Sequence, residues 1–157
     1  MSTKINWQQF CIHDATRIYG FFGEYRYLSN FYNTPVHFEG VCYPSSENAF
    51  QAAKIVEEER GQFVTCSAAE SKNLWKTLTK LYTPEEWDKV KYNIMVRILA
   101  EKFGDNDDIK EKLINTGDKD LSEYNVWRDV YWGYDVNLKQ GQNNLGKILM
   151  KIRSLYL

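Results

Sequence analysis

The sequence predicts an α+β fold, a compact single domain over 1–157, mainly α-helical, with a few short strands near the N-terminus and around residues 121–134. Three observations carry this. The chain is 157 residues long, which suits one domain burying about two-thirds of its unfolded surface without a metal or disulfide staple. The apolar pattern changes at Ser45 from short alternation to helical periodicity, and no repeating strand–helix–strand unit follows.

Up to residue 44 the chain reads as short strands and loops. Gly20-Phe21-Phe22-Gly23 precedes the aromatic run Tyr25-Arg26-Tyr27-Leu28-Ser29-Asn30-Phe31-Tyr32. Val36 to Tyr43 alternates about Glu39-Gly40, a turn between two strands. Ser45 is the expected N-cap of the first helix, with Glu47 in its first turn, where a carboxylate suits the helix dipole. Ser67-Ala68-Ala69-Glu70 has the capping-box pattern and opens a second helix carrying Leu74, Trp75 and Leu78. Thr83-Pro84-Glu85-Glu86 starts a third, whose apolar stripe is Trp87, Val90, Ile94 and Ile98 with Met95 and Leu99 beside it, and which Gly104 ends. A fourth spans about Asp107–Asn115, before Gly117. Leu121 to Tyr134 is irregular and aromatic. Leu145, Ile148, Leu149, Ile152 and Leu155 mark a C-terminal helix capped by Asn143 or Asn144.

Composition removes several function classes. Net charge is −1 and pI about 6.1, with Lys and Arg scattered, whereas duplex-binding modules present a basic face. Two histidines, His13 and His37, and three widely spaced cysteines, Cys11, Cys42 and Cys66, have no metal-ligand spacing, so neither a metal nor a cofactor is expected. Met1 to Trp7 contains no apolar run resembling a signal peptide and no segment is long enough to span a bilayer, so a cytoplasmic location and no membrane partner are expected. Walker, dinucleotide-binding, zincin and nucleophile-elbow motifs are all missing. Acid–base chemistry therefore falls to carboxylates, Lys or Tyr.

Three segments hold candidate chemistry, each with a plainer reading beside it. Glu47, Gln51 and Lys54 share a helix face at i, i+4 and i+7, opposite Ala49, Ala52, Ala53 and Val56. They form either a solvated polar stripe over an alanine face or a carboxylate and an amine entering one pocket. Glu123 to Gly133 packs Glu123, Asn125, Trp127, Asp129 and Trp132 into an irregular stretch, where Asp129 either serves a site or simply turns the backbone. Gly141 to Gly146 opens the last helix, whose N–H groups suit either ordinary capping or a phosphate.

In order, Tyr25 to Phe31, then Tyr43-Pro44-Ser45-Ser46-Glu47-Asn48-Ala49-Phe50-Gln51-Ala52-Ala53-Lys54, resemble the NADAR family, or YbiA-like N-glycosidases. Further matches are Glu86-Trp87, Met95, Lys102-Phe103, Thr116-Gly117, Glu123, Asn125-x-Trp127-x-Asp129-x-x-Trp132-Gly133, Asn144-Leu145-Gly146, Leu149-Met150 and Arg153. The resemblance spans about residues 19–155. Two departures stand out: Asn48 replaces a histidine common after the glutamate, and an Ala-Lys-x-x-Gly-Arg stretch is degraded around Ala68 to Lys76. The resemblance thus reaches further for reaction class than for substrate.

It implies hydrolysis of the ribose–nitrogen bond of a phosphorylated ribosyl or ADP-ribosyl substrate, either a riboflavin-pathway intermediate or ADP-ribosylated guanine, including guanine in nucleic acid. Cleavage builds positive charge on ribose and negative charge on the departing nitrogen, so an acid and a carboxylate are both needed. The family pattern assigns these roles to Glu47 and Asp129, supported by Glu123. Lys54 could instead attack the anomeric carbon as a neutral amine and form an imine. Trp87, Trp127 and Trp132 would be stacking walls, Arg26 and the Asn144 helix start would take phosphate, and Asn30, Asn125 and Gly133 would complete the substrate contacts. A non-catalytic ADP-ribose or NAD-metabolite reader would need the walls but no acids, and a structural partner-binding domain would need neither.

Overall fold

The computed structural model describes residues 12–157; Cys11 and the Met1–Trp7 stretch lie outside the described residues. The described residues divide into two compact units, one of residues 12–29 with 111–157 and one of residues 30–110.

The first unit is organised by a three-stranded sheet of β1 (Ile12–His13), β2 (Arg17–Tyr19) and β5 (Asp120–Ser122). β2 runs antiparallel to β1 and parallel to β5, pairing Ile18 with Leu121. A 3-10 helix, Gly23–Leu28, buries Tyr27 and Leu28. The helix α5 (Asn144–Leu155) packs on β5 and buries Leu145, Ile148, Leu149 and Ile152, the spacing of its apolar stripe. Arg153, also buried, donates to Thr116 Oγ1 (2.9 Å) and to the Lys119 carbonyl (2.8 Å), tying α5 to the turn before β5. The short parallel pair β6 (Tyr124–Asn125) and β7 (Tyr134–Asp135) brackets the aromatic stretch.

The second unit holds the hairpin of β3 (Val36–Phe38) and β4 (Val41–Tyr43) and the helices α1 (Ser46–Ala52), α2 (Ala68–Leu74) and α3 (Pro84–Gly104). Glu39 and Gly40 turn the hairpin with φ of 46° and 82°, the left-handed pair that suits strand twist. Buried Arg60 donates to Glu39 Oε2 (2.9 Å) and to the Ile55 carbonyl (2.9 Å), and its bond holds the Glu39 carboxyl below its usual pKa. α2 and α3 both begin with complete capping boxes, Ser67 with Glu70 and Thr83 with Glu86, and Pro84 occupies the first turn of α3. α3 buries Ile94, Met95, Ile98, Leu99 and Phe103 against α1 and β3. The helix α4 (Asp107–Asn115) carries the chain out of this unit.

Sequence and structure differ at two helix ends. α1 stops at Ala52 and Ala53 is its C-cap, so Lys54 follows the helix instead of continuing its polar face. α5 has Asn143 before it, but in the left-handed region (φ 51°) and with no side-chain cap bond. The Asn143 side chain instead accepts from the Glu123 N–H (3.0 Å) and donates to the Leu121 carbonyl (2.9 Å), binding the helix start to the end of β5.

That close approach leaves no room at Gly146, where a Cβ would strike the Leu121 carbonyl and the Asn143 side chain. In an open helix Gly→Ala would stabilise by about 1 kcal/mol. Here the backbone clash prevails, and Gly146→Ala is expected to destabilise by roughly 1–3 kcal/mol in urea unfolding.

Candidate functional site

All seven residues of α1 are buried, including Ser46, Glu47, Asn48 and Gln51. A buried polar side chain must find a partner or carry an unfavourable desolvation, and most of these do. Ser45 Oγ accepts from the Asn48 N–H (3.1 Å) and donates to Asn48 Oδ1 (2.6 Å). Asn48 Nδ2 then donates to the carbonyls of Phe63 and Cys66, each at 2.9 Å. The asparagine at the family's histidine position is thus a tether for the segment leading into α2. Asn30 holds the other side: its carbonyl accepts from the Glu47 N–H (3.0 Å), and its Oδ1 accepts from Ser46 Oγ (3.0 Å). In this structure Asn30 positions the acid's helix.

Glu47 is 8% exposed, and its Oε1 accepts from Gln51 Nε2 at 2.7 Å. The reading of this face as a solvated stripe is therefore excluded. Past the helix end, the Lys54 amine lies over the ring of Trp75 at 4.3 Å, with Trp87 at 5.5 Å and Phe50 at 5.7 Å. Phe50 and Trp87 are themselves tilted against each other at 5.1 Å, and Tyr82 adjoins Trp87 at 5.8 Å. Burial among these rings lowers the Lys54 pKa from 10.5 to about 8. Lys72, Lys91 and Lys76 push it the same way, while Glu47 opposes them. Glu47, Lys54 and Trp87, chosen from the sequence, thus meet in one unit. Trp75 was not chosen, because its place depends on α2 ending at Leu74 and a 3-10 turn, Trp75–Thr77, following.

The other sequence candidates lie in the first unit. Asn125 is 2% exposed; its Oδ1 accepts from the N–H groups of Trp127 (3.3 Å) and Asp129 (3.2 Å), and its Nδ2 donates to the Asp129 carbonyl (2.9 Å). Asp129 Oδ1 accepts from the N–H groups of Tyr131 (3.2 Å) and Trp132 (2.9 Å), so one of its oxygens turns the backbone. A Cβ at Gly133 would lie 2.5 Å from the Glu123 carbonyl and 2.7 Å from Asn125 Nδ2, so only glycine fits. Buried Asp135, not singled out from the sequence, accepts from the N–H groups of Arg128, Asn137 and Leu138. Those bonds hold its carboxyl below the usual range. Its signal was legible, since an aspartate two residues before an Asn-Leu step is a common turn former.

Glu123 is half-buried, Trp127 is 47% exposed, Trp132 packs edge-on to Tyr131 at 4.7 Å, and Arg26 is exposed. At the α5 start, the N–H groups of Asn143, Asn144 and Leu145 donate to the carbonyls of Gly133, Tyr131 and Trp132. The phosphate expected at the Asn144 helix start is corrected by this: its leading donors are spent on the preceding loop.

The sequence profile of the NADAR domain matches residues 18–155. The chain belongs to the NADAR family. Among NADAR relatives, the N-glycosidase YbiA of Shigella boydii is 32% identical over 83% of this chain and 81% of its own length. An N-glycosidase of Nostoc punctiforme is 33% identical over 82% and 84%. A riboflavin biosynthesis protein of Vibrio vulnificus is 33% identical over 81% of this chain, which spans only 34% of that protein. The solved structure of Escherichia coli YbiA superposes with a TM-score of 0.76 and 27% identity, covering 96% of this chain and 90% of that one. The mainly helical α+β fold is therefore the NADAR fold, and the chain is an N-glycosyl hydrolase. Among the described residues no His, Cys, Asp and Glu cluster could hold a metal, and no helix is long and apolar enough to cross a membrane.

The Lys54 environment has a stability consequence. The folded state releases this proton near pH 8 and the unfolded chain near 10.5, so between those values the unfolded state binds more protons and stability rises with pH. Urea unfolding at pH 7.5 and 10 should show a stability gain in the wild type that Lys54→Met lacks.

Proposed function

We propose that the chain hydrolyses the ribose–nitrogen bond of a phosphorylated ribosyl or ADP-ribosyl substrate, with Lys54 as nucleophile and Glu47 as proton carrier. The supporting observation is the Lys54 amine, held among Trp75, Trp87 and Phe50 with its pKa near 8, just past the helix that carries Glu47. At neutral pH about a tenth of such an amine is uncharged, against well under a thousandth for an ordinary lysine.

In the first step the neutral amine attacks the anomeric carbon and the bond to the base breaks. The departing nitrogen takes a proton from Glu47; the C1–ring-oxygen bond then opens, the ring oxygen taking an N–H proton from the new Lys54–C1 ammonium, and the opened ribose remains on Lys54 as a protonated imine. Water, giving its proton to the Glu47 carboxylate, then adds to the imine carbon; collapse frees the sugar aldehyde and returns the amine. Transfer of one proton from the Lys54 ammonium to the Glu47 carboxylate produces both reactive forms with no change in net charge. The rings near the amine would stack on a flat base. Lys72, Lys76 and Lys91, which depress the Lys54 pKa, would also favour a phosphate-bearing substrate over a neutral nucleoside.

Asp129 is kept as the second carboxylate of the family-like sequence pattern, with its Oδ1 used in the loop turn. The name of the Vibrio vulnificus relative favours a riboflavin-pathway intermediate as substrate, and ADP-ribosylated guanine is the other. A cytoplasmic location fits the free thiols of Cys42 and Cys66.

A base-release screen against riboflavin intermediates, ADP-ribose, NAD and ADP-ribosylated guanosine tests the reaction. Glu47→Gln and Lys54→Ala should each lower kcat at least 1,000-fold, in the range seen when a covalent catalyst or its acid is removed, with melting temperature little changed. Borohydride during turnover should leave an adduct on Lys54. Asp129→Asn at wild-type rate would confine Asp129 to the loop turn; binding without base release in the wild type would instead support a nucleotide reader.

Activity should also fall as pH rises through about 8, where the one proton shared by Lys54 and Glu47 is lost and no acid remains for the departing nitrogen. The initial rate at saturating substrate, measured from pH 6.5 to 9.5, checks the midpoint. A flat profile would remove Lys54 as nucleophile.

A further inference from the structure

We propose that Gln51 is the positioning residue for Glu47, a side-chain amide that donates to the carboxylate and turns over to accept from the carboxylic acid. The inference deepens the role given above to Glu47 and rests on that reading.

Gln51 is 5% exposed and sits one helical turn after Glu47. Its Nε2 donates to Glu47 Oε1 at 2.7 Å, the short end of the range for an amide donor and an oxygen acceptor. A carboxylate only accepts, so the amide must present nitrogen to it, and the orientation is forced. The cost appears at the other end: Gln51 Oε1 is buried and has no hydrogen-bond partner among the described residues. A buried acceptor left unpaired is unfavourable and calls for an explanation.

Protonation of Glu47 supplies one. A carboxylic acid carries an O–H donor, and the orphaned Oε1 is the only acceptor on that amide. The terminal torsion of glutamine is broad and nearly two-fold, so the amide can exchange oxygen for nitrogen without moving the helix. In both states one Glu47 oxygen stays bonded to residue 51, which keeps the carboxyl in place while its proton comes and goes. The main chain of Gln51 is fixed as well, since its carbonyl accepts from the N–H groups of Ala53 and Lys54, the latter at 3.2 Å. One residue thus links the acid, the helix end and the segment that carries the amine. Lys54 is the charge coupled to Glu47, and Lys72 on α2, Lys76 in the turn after it and Lys91 on α3 act on Lys54 in turn.

The test follows the Glu47 carboxyl carbon by 13C NMR through a pH titration, assigned by its loss in Glu47→Gln. In the wild type the Gln51 side-chain amide signals should shift with the same midpoint as the Glu47 carbon. In Gln51→Met the Glu47 midpoint should rise by about one unit or more, because the donor to the charged form is gone. On any substrate that is turned over, kcat should fall at least 10-fold with KM within about threefold. An amide that ignores the Glu47 titration, or an unmoved midpoint in folded Gln51→Met, would overturn the proposal. The wild-type measurement needs no variant and no substrate. A wild type that shows the coupled titration yet releases no base would leave the Gln51 role standing and sink the N-glycosidase chemistry instead.

Discussion

The second unit depends on one constraint, the complete burial of a seven-residue helix, four of whose side chains are polar. A helix this short has little stability of its own in water, so α1 exists because its surroundings hold it. Ala49, Ala52 and Ala53 let neighbouring elements approach closely, and the alanine face expected from the sequence is 0–1% exposed. The polar side is then forced to find partners inside the protein. Ser45 with Asn48, Asn30 with Ser46 and Gln51 with Glu47 are those partners, and the first two also fix pieces of chain beyond α1. The acid is placed accurately because the network around it has few alternatives.

The first unit solves a different problem, holding an irregular stretch rigid without regular structure. Two buried side chains do most of this: Asn125 bonds the main chain at Trp127 and Asp129, and Asp135 bonds it at Arg128, Asn137 and Leu138. Asp129 extends the same device to Tyr131 and Trp132. The spent N–H groups at the start of α5 follow from this, because the carbonyls the loop turns inward need donors and the helix end has them. An anion and a loop compete for the same amides, and in this protein the loop has them.

Local chemistry was the legible part of the sequence. Ser45, Ser67, Thr83 and Pro84 marked helix starts because capping needs only a side-chain oxygen a few residues from an N–H. Glu39-Gly40 marked the hairpin because few residues accept positive φ. Roles that depend on what lies across the chain were not legible. Asn125 and Asp129 carry the same groups whether they bind a ligand or their own backbone, and spacing cannot separate the two. Asn48 gave no sign that its amide would reach Phe63 and Cys66. Asn143 does stand at the N-cap of α5, but its side chain makes no cap bond, because its partners are Leu121 and Glu123.

The position of Lys54 shows how a small misreading of a helix end alters the chemistry. Continued helix would have set the lysine two turns above Glu47, on a stripe where a long charged side chain reaches for water. The observed end at Ala52 turns the chain instead, and the Lys54 N–H closes on the Gln51 carbonyl. Its amine is thereby delivered to rings from three elements: Phe50 on α1, Trp75 after α2 and Trp87 on α3. An ammonium on a stripe would keep its ordinary proton affinity, while an amine among these rings gives its proton up more readily. The end of α1 at Ala52, rather than a longer helix, is what makes a lysine nucleophile physically reasonable near neutral pH.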